Sequence, residues 1–150
     1  MRETIGEAYK AAMKARDQRR TGTLRAINAA IKDKDIANRG DGKGPLTSEE
    51  ILVLLQKMVK QREESFAIYA EAGRNDLATV EKEEIDILNE FLPKGLTEAE
   101  IDDAIKAAIA KTGAASIKDM GKVIAELRAS HAGQMDFGKA SAAVKGMLAG

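Results

Sequence analysis

Apolar residues recur every three or four positions along almost all of the 150-residue chain, and only two prolines, Pro45 and Pro93, break the pattern. That spacing places them on one face of a helix, whereas a half-buried strand would need strict alternation. The chain therefore reads as all-α, with seven helices and no sheet. The first helix lines up Ile5, Ala8, Tyr9, Ala12 and Met13, and the second, after a cap at Asp17 or Thr21, lines up Leu24, Ile27 and Ile31.

Arg39-Gly40-Asp41-Gly42-Lys43-Gly44-Pro45 ends the second stripe, because its glycines and proline lose backbone entropy or an amide donor in a helix. Thr47-Ser48-Glu49-Glu50 has the form of a capping box, with hydroxyl and carboxylate each able to satisfy a free amide of the first turn. A long helix follows with Ile51, Leu54, Leu55, Met58, Val59, Arg62, Phe66 and Tyr69 on its stripe, and Gly73 offers a left-handed stop. Asn75 or Asp76 is then the candidate cap for a helix containing Leu77, Val80, Ile85, Leu88 and Leu92, which must stop near Pro93. The third and fourth helices thus form a long hairpin.

Pro93-Lys94-Gly95 is the strongest candidate boundary, and Thr97-Glu98-Ala99-Glu100 after it is a second capping box. The expected division is an N-terminal helical domain over residues 1–95 and a three-helix domain over 96–150. The stripes of the second are Ile101, Ile105, Ala108 and Ile109; then Ile117, Met120, Ile124 and Leu127; then Ala140, Val144, Met147 and Leu148.

Little in the chain is equipped for covalent chemistry. Without cysteine there is no thiolate nucleophile, and the usual structural zinc sites lack their sulfur ligands. His131, the only histidine, falls near the end of the sixth helix, where the negative end of the dipole favours a cationic ring. Gly40, Gly42 and Gly44 match neither phosphate-binding glycine fingerprint and read as a plain loop. The carboxylates of Glu81, Glu83, Glu84, Asp86 and Glu90 spread around several faces of one helix, as on a solvated surface. These features predict no catalytic residue, no metal and no cofactor. The start, Met1-Arg2-Glu3-Thr4-Ile5-Gly6-Glu7, carries charge where a signal peptide is apolar, and no run reaches the ~18 apolar residues of a membrane span. The expected address is the cytoplasm.

Charge is balanced in total, at 24 basic and 24 acidic residues, but not along the chain. Residues 1–32 hold eight basic and three acidic side chains, residues 46–92 five and eleven, and residues 111–150 six and three. Pairing between the oppositely charged regions would account for this; a basic face at either end is the alternative. Lys118 and Lys122, four apart, would project from one face of the sixth helix. Gly121 between them either permits tight helix packing or lets a phosphate backbone approach. Lys111, Lys139 and Lys145 extend the candidate patch. With three Phe, two Tyr and no Trp, stacking on bases is a minor mode, so binding would rest on phosphate and shape.

Three stretches resemble the GatB/YqeY family. They are Lys60-Gln61-Arg62-Glu63-Glu64-Ser65 with Tyr69 to Leu77 following, Leu92-Pro93-Lys94-Gly95-Leu96-Thr97, and Lys118-Asp119-Met120-Gly121-Lys122-Val123. Thr23-Leu24-Arg25 and Ala29-Ala30-Ile31-Lys32 extend the likeness over nearly the whole chain, while Gln134 stands where members often carry a basic residue. The resemblance implies a helical N-terminal domain followed by a small domain similar to the tail of the B subunit of aspartyl/glutamyl-tRNA amidotransferase. That enzyme is a carbon–nitrogen ligase with glutamine as amide donor, and its tail engages tRNA. It also implies tRNA, an amidotransferase or an aminoacyl-tRNA synthetase as partners, with Lys118, Gly121 and Lys122 on the tRNA-facing surface. A helical adaptor between proteins is the alternative.

Overall fold

The helix boundaries are set by side-chain caps and short turns. A computed structural model describes residues 1–149. Among them are seven α-helices and no strand: α1 (Arg2–Ala15), α2 (Gln18–Gly40), α3 (Ser48–Glu71), α4 (Asn75–Asn89), α5 (Glu98–Thr112), α6 (Met120–His131) and α7 (Phe137–Ala149). A 3-10 turn, Ile117–Asp119, leads into α6. Both capping boxes form. The Glu50 amide donates to Thr47 Oγ1 at 3.2 Å and the Thr47 amide to Glu50 Oε1 at 3.2 Å, and Thr97 and Glu100 repeat the exchange at 3.2 and 3.1 Å. Asp17, rather than Thr21, caps α2 by accepting from the Arg20 amide at 3.0 Å.

Several boundaries differ from the sequence expectation: α4 ends at Asn89, which leaves Leu92 outside it, and Ile117 falls in the 3-10 turn before α6. The second helix continues through Gly40, and the chain turns only at Gly42, whose φ is +74°. Neither Asn75 nor Asp76 caps α4; the capping position is Arg74, which bonds no amide through its side chain and pairs with Asp76 instead. Gly73, also at φ +74°, closes α3 as its position requires.

Packing separates two compact units, Met1–Pro93 and Lys94–Gly150. In the first, α1 and α2 form one hairpin and α3 and α4 another, with α2 packed on both members of the second. Ile5, Leu24, Ile27, Ile51, Leu55 and Leu88 are fully buried between them, each contributing roughly 1.5–3 kcal/mol. The alternating charge is partly resolved here. Arg19 bonds Glu83 at 3.0 Å and Arg20 bonds Glu90, joining basic α2 to acidic α4. At the open end of the first hairpin, Arg2 grips Asp35 through two bonds of 2.8 and 2.7 Å, and both residues also bond the backbone of Leu46.

The second unit places α6 against both α5 and α7 around Ile105, Val123, Leu127 and Val144, all completely buried. The Leu96 amide donates to the Gln134 carbonyl at 2.9 Å and the Gln134 side-chain amide to the Lys94 carbonyl at 3.2 Å, fastening the segment before α5 to the α6–α7 connection. The Arg128 guanidinium lies over the Phe137 ring, 5.6 Å from its centre.

Candidate nucleic-acid interface

The segment before α6 is tightened by Asp119. Its Oδ2 accepts from the amides of Ala115 at 3.0 Å and Ser116 at 3.4 Å, and its own amide donates to the Ser116 carbonyl at 2.9 Å. These amides, with Lys122 adding a smaller contribution, hold the Asp119 carboxyl below the usual range, so it is ionised at neutral pH. The closed loop produces the 3-10 turn, and it changes the expected placement of Lys118. Lys118 sits in that turn and Lys122 in the first turn of α6, so the two do not share one α-helical ladder. Both are exposed, and neither is held in an ion pair among the described residues.

Gly121 is exposed between them, and a Cβ built on it would meet nothing within 4 Å. Tight helix packing is therefore not what this glycine provides; the space beside it is open. Lys111 is committed elsewhere, with its Nζ 2.7 Å from Glu126 Oε1 in a bond joining α5 to α6. Lys139 and Lys145 are exposed on α7, which packs against the 3-10 turn. Six residues is about one and two-thirds helical turns, so these two lysines project roughly 120° apart. Lys118 and Lys122, both exposed and close in sequence, are the members of the candidate patch that stay adjacent along the chain. The acidic Asp119 between them went unweighted in the sequence, although Ser116-x-x-Asp119 has the spacing of a capping box.

The remaining candidates settle into structural roles. Ser130 Oγ donates to the Glu126 carbonyl at 2.8 Å and shares a hydrogen bond of 2.8 Å with His131 Nδ1. Glu83, Glu84 and Glu90 each engage an arginine. Among the described residues no three His, Cys, Asp or Glu converge on a possible metal position, and no helix is long and apolar enough to cross a membrane.

This arrangement of helices extends over a chain whose residues 2–148 match the model of the family described as Yqey-like protein. The chain belongs to the YqeY-like family. Curated relatives carry the name altered inheritance of mitochondria protein 41, mitochondrial. The one from Clavispora lusitaniae is 36% identical over 83 residues, covering 55% of this chain and 46% of the relative. The Pyrenophora tritici-repentis protein is 31% identical over 103 residues, covering 67% and 54%, and that of Lachancea thermotolerans 33% identical over 95 residues, covering 62% and 49%. The YqeY-like chain spans about half the length of these relatives. Their names overturn the cytoplasmic expectation, because they assign the relatives to mitochondria. The expectation rests on the charge of the first few residues and on the lack of a long apolar run, and neither fixes a compartment.

Proposed function

We propose that this YqeY-like chain is a tRNA-associated accessory protein, similar in role to the tail of the glutamine-dependent tRNA amidotransferase, that binds RNA and performs no chemistry itself. The observation that carries the reading is the Lys118–Lys122 segment. Two exposed lysines flank a glycine with open space beside it, on a backbone held rigid by the Asp119 bonds. A phosphate chain can approach such a segment closely, and each lysine that neutralises a phosphate releases a counterion. The mitochondrial setting in the relatives' names replaces the cytoplasm as the setting for this role.

The test is tRNA binding by fluorescence anisotropy at rising salt, comparing the intact chain with Lys118→Gln/Lys122→Gln. Two lost phosphate contacts reduce the slope of log affinity against log salt by about 1.4–1.8. Between about 50 and 200 mM salt, the intact chain should therefore lose roughly tenfold more affinity than the variant. Identical slopes would refute the assignment. Absence of any tRNA binding, together with recovery of one stoichiometric protein partner from nuclease-treated lysate, would favour the adaptor reading, for which α3 offers Val53 and Ile68 as exposed apolar contacts.

A further inference from the structure

A second basic feature lies in the first unit, at the corner where α1 turns into α2. A surface hollow of about 420 Å³ is lined there by Met13, Arg16, Gln18, Thr21, Gly22 and Arg25. No carboxylate is among these residues. The arginines of this stretch divide into two pairs by their partners: Arg19 and Arg20 are tied to Glu83 and Glu90 on α4, whereas Arg16 and Arg25 form no ion pair among the described residues. Arg25 is oriented through Nε, which donates to the Tyr9 hydroxyl at 3.3 Å. The neighbouring acid, Asp17, is occupied by the Arg20 amide. Gly22 leaves the hollow unfilled, since a Cβ there would meet no atom within 4 Å.

We infer that this hollow is a binding site for a phosphate group, taken between the guanidinium groups of Arg16 and Arg25 with the Thr21 hydroxyl and Gln18 amide as further donors. Guanidinium groups suit this ligand because their planar N–H pairs match phosphate oxygens, and they stay cationic throughout the physiological range. The volume falls within the range of small-ligand sites, so it accommodates a diphosphate as well as a single backbone phosphate. The site involves no residue of the proposed tRNA-binding segment and stands or falls separately from it.

The test is titration of the full chain with inorganic pyrophosphate, and separately with a short single-stranded RNA lacking terminal phosphates, followed by amide NMR shifts. Shifts centred on residues 13–25 are expected with at least one probe. Response to pyrophosphate assigns the site to a free or terminal diphosphate; response to RNA alone assigns it to a nucleic-acid backbone. Arg16→Gln/Arg25→Gln should weaken that response at least tenfold. Gly22→Glu is the folding control: glutamate favours a helix more than glycine does, so the melting midpoint should hold or rise while its carboxylate repels the ligand. No shift around residues 13–25 with either probe, or an undiminished response in Arg16→Gln/Arg25→Gln, would overturn the assignment.

Discussion

The α3–α4 hairpin is held by an ion pair whose removal has a calculable cost. Arg62 Nε lies 3.0 Å from Glu84 Oε2, and the two side chains are only 18% and 23% exposed. Arg62 also donates to the Met58 carbonyl at 3.3 Å. Arg62→Met keeps the aliphatic stem and the helix propensity but strands a largely buried carboxylate next to Glu81, three positions back on α4. Breaking a fully buried pair costs about 3–5 kcal/mol, whereas an exposed pair is worth at most about 1. With roughly four-fifths of each side chain covered, the expected loss is about 2–3 kcal/mol. At a urea m-value near 2 kcal/mol/M, the unfolding midpoint followed by circular dichroism should fall by about 1–1.5 M. Arg62→Met/Glu84→Met should recover most of this, to within about 1 kcal/mol of the parent, because the stranded Glu84 charge is gone and Glu81 loses its repulsive neighbour along with Arg62. A single variant as stable as the parent, or a double variant as unstable as the single, would refute the reasoning.

Three further outcomes follow from the same packing. Burial, reinforced by Glu84, raises the Glu81 carboxyl above its ordinary value, so its charge costs stability at neutral pH and the cost disappears as the pH falls to ordinary carboxylate values. Glu81→Gln should therefore raise the melting midpoint at pH 7 and leave it unchanged in mild acid. Asp35 has the opposite sign. Its bonds with Arg2 and the Leu46 amide lower its carboxyl from 3.8 to about 2, so their stabilisation is complete above 3.8 and is lost as the pH falls toward 2; Asp35→Asn should flatten acid unfolding across that window. Leu127 is completely buried in the second unit, and Leu127→Ala should cost about 2–5 kcal/mol, read as faster hydrogen exchange throughout α5–α7.

Local signals in the sequence were the most legible. Thr47-x-x-Glu50, Thr97-x-x-Glu100, Asp17 and Gly73 mark helix ends because each satisfies its neighbours' backbone within a few residues, independently of tertiary structure. The core stripes were legible for the same reason, with exceptions where a stripe runs past its packing partner: Met13 and Ile117 are each 45% exposed. The candidate site was less legible, since it depends on distant groups. That Lys111 would be occupied by Glu126, fifteen residues on, is a property of how α5 meets α6. Spacing alone placed Lys118 and Lys122 on one helix, whereas the Asp119 carboxylate turns the chain into a 3-10 conformation first. The Arg16–Arg25 hollow needs the α1–α2 corner to exist before its residues have any relation to one another.

Hydrogen exchange of the intact chain with and without tRNA tests the proposed interface most directly. Slowed exchange centred on residues 115–123 is the expected result, and it should vanish in Lys118→Gln/Lys122→Gln. Saturating tRNA that leaves those amides unprotected while protecting another surface would contradict the account.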